Sequence, residues 1–226
     1  MTRLCIHFDV NETIMVGDPA GGDTFEQSLA KTIAKSAFVR KRADGGEPTQ
    51  WHDGSPINPG ERSPEAPVPP LLCPWDPPEG CLPVSWTALR RHVKTFVEDG
   101  SPGAIYRPLY DELREAMRWP EGAPKDARLL HADGEHQLLL PAFCQILTEL
   151  GPSGSLAGRE CSIVLRTFGS DLGRVTAAIA AYVEGKHPFF PAPSQLPSPT
   201  LWSGRYSPDG DFDVRYYLSI YPSIYL

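Results

Sequence analysis

The sequence predicts an α/β fold built on parallel strands. Two apolar runs, at 3–8 and 160–166, each lead straight into a loop and then into a segment with helical periodicity. A hairpin closes the chain, because "LWSGRYS" and "FDVRYYLSI" flank the turn sequence "PDGD". The order strand, helix, long intervening segment, strand, helix, hairpin suits crossover connections between parallel strands.

The elements follow in turn. Residues 3–8 read as a short buried strand, with Cys5 inside it. Gly17, Pro19, Gly21 and Gly22 make a loop, and Asp23 or Thr24 caps a helix with Phe25, Leu29, Ile33 and Phe38 on one face. Of the 25 prolines, eleven fall between Pro48 and Pro83, which excludes regular helix and central strand there. The stretch 44–85 therefore reads as an irregular, partly disordered insertion, anchored by Trp51, Leu71, Leu72 and Trp75.

Three helices are expected next. The first spans 86–98, capped by Ser85, with Leu89, Val93 and Phe96 periodic. The second spans 107–118, with Leu109, Leu113 and Met117 on one face. The third spans 135–150, through Leu138, Phe143, Ile146 and Leu150, and ends at Gly151 and Pro152. After the strand "ECSIVLR", Ser170 or Asp171 caps an alanine-rich helix that Gly185 ends. The division that follows is a core of 1–43 with 155–226, a Pro-rich insertion at 44–85 and a helical insertion or cap at 86–154.

Composition bounds the function. In 226 residues, 41% are hydrophobic and 22% charged, ordinary values for a chain with a buried core. The net charge of −7 argues against a nonspecific nucleic-acid binder, which needs a basic surface. No run approaches the ~18 apolar residues of a membrane span. Arg3, His7 and Asp9 interrupt any secretory signal, and the five cysteines include no CxxC. The expectation is a reduced, soluble, cytoplasmic protein without membrane or nucleic-acid partners.

The chemistry concentrates at the strand ends. In open α/β sheets, ligands sit at the carboxyl ends of strands. Asp9 ends the first run and Thr167 follows the second. A carboxylate there serves as a nucleophile toward phosphorus or as an oxygen ligand for Mg²⁺. A hydroxyl donates to a phosphoryl oxygen, and loop amides add further donors.

"HFDVNETI" resembles the first motif of the haloacid dehalogenase-like (HAD) superfamily, an apolar strand followed by Asp-x-Asp-x-Thr. "SIVLRTFGSDL" resembles its second motif, an apolar strand ending in Thr or Ser. The resemblance covers about 40 residues, at 3–20 and 160–188. It implies a Rossmann-like core with a large insertion between the two motif strands, and Mg²⁺-dependent phosphoryl transfer from a small phosphorylated substrate. Asp9 would accept the phosphoryl group and bind Mg²⁺, and the Asn11 backbone carbonyl would complete the metal shell. Thr167 would bind the phosphoryl group, with Lys186 as the phosphate-binding lysine, and Thr13 would support the loop.

Three departures bear on activity. Asn11 stands where the family has its general acid, and an amide neither protonates a leaving group nor activates water. Lys186 is the sole lysine past Thr167, just beyond a helix end, where a cation also suits the helix dipole. The family's downstream acid pair is missing, since Asp209, Asp211 and Asp213 lie in the hairpin turn. A second reading of another class follows: a degenerate scaffold that binds protein partners through its Pro-rich segments or its aromatic C-terminal "YYLSIYPSIYL".

Other motifs read as structural. "HADGEH" spaces His131 and His136 five apart, unlike HExxH, and suits a capping loop. Cys73 and Cys81 have no matching histidine pair for zinc. Cys5 and Cys161, in strands, read as buried and inert thiols.

Overall fold

A computed structural model describes residues 3–17, 21–63, 65–151, 154–155, 160–167 and 171–190, with the backbone of 205–206, 212–213 and 218–220. Its strands and helices are β1 (Arg3–Asp9), α1 (Phe25–Ser36), β2 (Phe38–Arg40), β3 (Cys81–Pro83), α2 (Arg107–Ala116), α3 (Pro141–Glu149), β4 (Glu160–Arg166), α4 (Leu172–Val183), β5 (Arg205–Tyr206), β6 (Phe212–Asp213) and β7 (Leu218–Ile220). The chain is mixed α/β with a small, partly parallel sheet. It divides into two compact units, 1–20 with 117–226 and 21–116.

The sheet of the first unit has the order β1-β4-β7. β1 and β4 pair in parallel, from Arg3 opposite Glu160 to Asp9 opposite Arg166. β7 pairs with β4 antiparallel, so part of the aromatic C-terminal stretch adds a strand to the sheet. The hairpin turn expected at "PDGD" lies outside the described residues, but the β5–β6 antiparallel pair on either side of it is present.

One face of β1 packs inward. Phe8 meets Phe143 edge-on at 5.3 Å, and Ile163, Val175 and Ile179 are buried in the same core. The other face, carrying Cys5, His7 and Asp9, is exposed. Cys5 is therefore not the buried thiol expected, and its sulfur lies 3.5 Å from His7 Nε2. Strand alternation explains this: "LCIHFD" sends Leu4, Ile6 and Phe8 to one side and Cys5, His7 and Asp9 to the other.

Residues 135–140 are extended rather than helical. Leu140 and Val16 link Ile14–Val16 to Leu138–Leu140: the Leu140 amide donates to Ile14 O at 2.9 Å and the Val16 amide to Leu138 O at 3.3 Å. Leu138 and Gln137 continue the ribbon to Leu129 and Met117. Pro141 explains the late helix start. Proline holds the preceding residue extended, as Leu140 is at ψ 137, and itself fits the first helical turn.

In the second unit, α1 starts with a capping box between Thr24 and Gln27. Asp23 instead takes Lys31 at 2.6 Å and pairs with Lys94. The apolar stripe of α1, Phe25, Leu29 and Ile33, is buried, and the helix packs on α2 and on the 3₁₀ helix Ala88–Thr95. Thus α1 and β2 belong to the unit holding the Pro-rich stretch, while 117–154 belongs with the sheet. The unit boundaries lie at 20/21 and 116/117, rather than at 43/44 and 154/155.

The Pro-rich stretch is irregular, as expected, yet internally bonded. Trp51 is fully buried, perpendicular to Tyr106 at 5.5 Å, and Tyr106 stacks on Phe96 at 5.9 Å. Prolines cannot donate from the backbone, and Arg62 donates to the Ala66 and Pro67 carbonyls. Trp75 does not dock, at 91% exposed. The helix expected at 86–98 is the 3₁₀ helix Ala88–Thr95, capped by Thr87 rather than Ser85. α2 buries Tyr110 while Leu113 is exposed, so its inner face is turned from the one periodicity implied.

Two stability outcomes follow. A Cβ at Gly103 would overlap the Phe96 ring, so Gly103→Ala should destabilise by about 1–3 kcal/mol. An unchanged denaturation midpoint would refute this packing.

The His187 ring is buried among Trp119, Tyr182 and Phe190, and burial pushes its pKa down to about 4. The unfolded ring titrates near ~6.5, so the unfolded chain takes up the proton first. Unfolding free energy should be steady above pH 6.5 and fall by roughly 2–3 kcal/mol as pH drops toward 4. A flat profile across that window would contradict the burial of a neutral ring.

Candidate active site

The site begins with the parallel register. The Val10 amide donates to Arg166 O at 3.0 Å, which extends the β1–β4 ladder one residue past Asp9. Asp9 thus lies opposite Arg166 and Val10 opposite Thr167. Two residues far apart in sequence end adjacent strands at the same carboxyl edge. Asp9 is exposed and Thr167 half-buried.

The chain after Asp9 turns sharply. The Ile14 and Met15 amides donate to Val10 O at 3.1 and 3.3 Å, and the Glu12 amide donates to Met15 O at 3.0 Å. Glu12 holds a left-handed φ of 57°, uncommon for a side chain of its kind. Asn11 is half-buried in this turn and Thr13 exposed. Val10, Ile14 and Met15 are fully buried, so core packing fixes the polar turn in place.

Lys186 lies past the far end of α4. α4 starts five residues after Thr167 and ends in a Schellman motif: Gly185 N donates to Tyr182 O at 2.9 Å and Lys186 N to Ala181 O at 3.1 Å. At ~1.5 Å rise per residue, Lys186 lies roughly 20 Å from the start of α4. It is exposed there, beside the acids Asp126 and Glu184. The Arg128 guanidinium already binds both Glu184 oxygens, at 2.9 and 2.7 Å. A helix that leaves the carboxyl edge carries its own C-terminus away from that edge.

Asp171 is a residue whose environment differs from its type. It occupies the N-cap position of α4, but in a helical conformation (φ −75°, ψ −16°) and without capping a backbone amide. It is 5% exposed, and its Oδ2 is buried without a hydrogen-bond partner. The helix N-terminus offers a carboxylate up to ~1 kcal/mol, and ~2 kcal/mol in partly buried geometry. Desolvating an ion costs several kcal/mol, so the dipole alone does not compensate. Sequence marks a cap here; the burial that makes the carboxylate notable comes only from tertiary packing.

A second group of ionisable residues lies on the ribbon next to the turn. Asp133 accepts the Glu135 and His136 amides at 2.8 and 3.0 Å, as the expected capping loop requires. Its Oδ2 also meets Nδ1 of His136 at 3.0 Å and of His131 at 3.2 Å. Burial alone would raise the Asp133 pKa, but these amides and rings hold it down, to about 2. An ionised carboxylate only accepts, so its contact with His136 calls for a proton on that Nδ1, whereas His131 Nδ1 also faces the donating Asp133 amide at 3.5 Å. His131 sits against Gly17, at the far end of the turn, and burial pushes its pKa below the ordinary value.

Among the described residues, no three His, Cys, Asp or Glu side chains are grouped to hold a metal. Mg²⁺ commonly takes one or two carboxylates with carbonyl and water oxygens, so a smaller set suffices. Asp9 and the Asn11 backbone carbonyl are oxygen donors of the kind that ion takes. Among the described residues, no helix is long and apolar enough to cross a membrane. Compared with protein-family models, curated proteins and solved structures, the chain matches none.

Proposed function

We propose that the chain is a HAD-like hydrolase of Rossmann-like type, transferring a phosphoryl group from a small phosphorylated substrate to Asp9. The observation that carries the reading is the β1–β4 register, with Asp9 and Thr167 at one carboxyl edge of adjacent parallel strands.

An Asp9 carboxylate oxygen attacks phosphorus, and the bond from phosphorus to the leaving oxygen breaks. Water then attacks phosphorus, regenerates the Asp9 carboxylate and releases inorganic phosphate. Thr167 donates to a phosphoryl oxygen. Asp9 and the Asn11 carbonyl would hold Mg²⁺, which would offset the charge on those oxygens. The Asn11 side chain gives no proton to the leaving alkoxide, so the first step is slow for poor leaving groups. With Lys186 roughly 20 Å from the start of α4, no lysine from beyond Thr167 serves the phosphate.

Those two features favour a second reading as well: a catalytically degenerate scaffold whose Pro-rich segments or C-terminal strand bind a protein partner. The exposed Trp75 in the Pro-rich stretch is the observation in its favour.

A thermal melt with Mg²⁺ and beryllium fluoride, a phosphoryl mimic, separates the two. At a hundredfold excess over Kd, binding to the native state contributes about 2.7 kcal/mol, a rise of roughly 5–10 °C for a chain this size. The first reading expects that rise, and its loss in Asp9→Asn. A cooperative melt with no rise would leave the second reading standing. Under the first reading, Asn11→Asp should also speed alkyl phosphate hydrolysis by ~10²–10⁴-fold, measured as phosphate release.

A further inference from the structure

We infer that a cavity in the second unit is a binding site for a small aromatic phosphomonoester, held by Lys41 and stacked on Trp86. The inference goes beyond the Asp9 reading and does not depend on it, because every residue lining the cavity lies within 21–116. The cavity holds about 210 Å³. One wall is the turn after β2, with Lys41, Gly45 and Gly46, and the other runs from Leu82 in β3 to Trp86 and Ala88. The walls are tied together. β2 pairs antiparallel with β3, from Phe38 opposite Pro83 to Arg40 opposite Cys81, and the Lys41 amide donates to Gly80 O at 2.8 Å. Paired strands therefore hold the cation and the aromatic ring in fixed relation, as a binding site requires.

The lining selects the ligand. Among the described residues no acidic side chain lines the cavity, in a chain of net charge −7. The acids of the adjoining turn are already engaged. Arg42 Nε donates to Asp44 Oδ1 at 2.9 Å, and Arg91 Nη2 donates to the Glu47 oxygens at 2.9 and 3.1 Å. Asp44 also accepts the Gly46 amide at 2.9 Å, which braces the turn. Lys41 is exposed, and its ammonium has no partner among the described residues. Bidentate capture of a carboxylate needs a free guanidinium, and that of Arg42 is taken. A single ammonium instead suits phosphate, which it binds as a point charge. Trp86 lines the same cavity and is 71% exposed, although so large an apolar side chain is ordinarily well covered. A planar ring stacked on the indole covers it, and Leu82 adds apolar contact. The volume is below the ~300–1,000 Å³ of drug-sized sites, so it admits a single ring with its phosphate and excludes a dinucleotide.

The test titrates the full chain with phenylphosphonate, a mimic that hydrolysis does not consume, in EDTA, and follows binding by calorimetry. EDTA removes the cation on which phosphoryl binding at Asp9 depends, so failure here and failure of the Asp9 reading are separate results. The expected result is saturable one-to-one binding that Lys41→Ala and Trp86→Ala each weaken at least tenfold. Arg90→Ala removes an exposed cation that does not line the cavity and should leave the affinity unchanged. Inorganic phosphate, which lacks the ring, should bind at least tenfold more weakly. No saturation by ~10 mM phenylphosphonate would overturn the inference. So would an equal loss in Arg90→Ala, the mark of diffuse charge attraction, or binding that survives in both Lys41→Ala and Trp86→Ala. Should a variant not fold, the indole N–H signals of the wild-type chain decide the matter. Under the inference the Trp86 signal shifts on titration, while that of Trp75, 91% exposed and not lining the cavity, stays in place. A Trp86 signal that stays, or both signals shifting alike, stands against it.

Discussion

The parallel pairing of β1 with β4 is the constraint on which the first unit depends. It joins Arg3–Asp9 to Glu160–Arg166 across some 150 intervening residues. Closing so long a loop is less costly than its length implies, because closure entropy grows only logarithmically, at about 0.6 kcal/mol per doubling. Much of the intervening chain, 21–116, also forms a unit with its own aromatic core around Trp51. The pairing then determines what lies at the carboxyl edge. A slip of one residue would turn Ile6 and Phe8 outward and Cys5, His7 and Asp9 into the core, which burial forbids.

The sheet is unusual for parallel strands, which are ordinarily covered on both faces. Here Phe8 packs on Phe143, while Cys5, His7, Asp9 and Arg166 are exposed. The mixed order β1-β4-β7 is consistent with this, since an antiparallel neighbour tolerates a solvated face better than a fully parallel sheet. Polar residues at the edge are positioned by apolar neighbours: Val10, Ile14 and Met15 are fully buried around the turn that presents Asn11 and Thr13. Asp133 does the same for the adjoining ribbon by fixing two imidazoles and two amides.

Much of this was legible in sequence. Both strands, the Thr24-capped α1 and the Gly185 end of α4 follow from short-range chemistry. The open face was written in the alternation of "LCIHFD", but counting Cys5 as simply apolar hid it. Leu138 suited a helical period, yet Pro141 decided where α3 begins, because its restriction of Leu140 outranks a loose periodic match. The buried stripe of α1 announced that it packs, not against what, so the unit boundary was not legible. At the site, Asp9 and Thr167 follow from strand ends and topology. Lys186 was matched by its order in the chain, which carries no information on the length of α4 that separates it from Thr167. Asp171 was legible only as a cap, since loss of water around a side chain is a property of the packed unit.

The register itself is open to direct measurement. In the isotopically labelled chain, cross-strand nuclear Overhauser contacts between Phe8–Val10 and Leu165–Thr167 report which residues face each other. The account predicts a parallel ladder with Asp9 opposite Arg166 and the Val10 amide protected from exchange by Arg166 O. A ladder displaced by one residue, or no contact between these segments, would separate Asp9 from Thr167 and contradict the account.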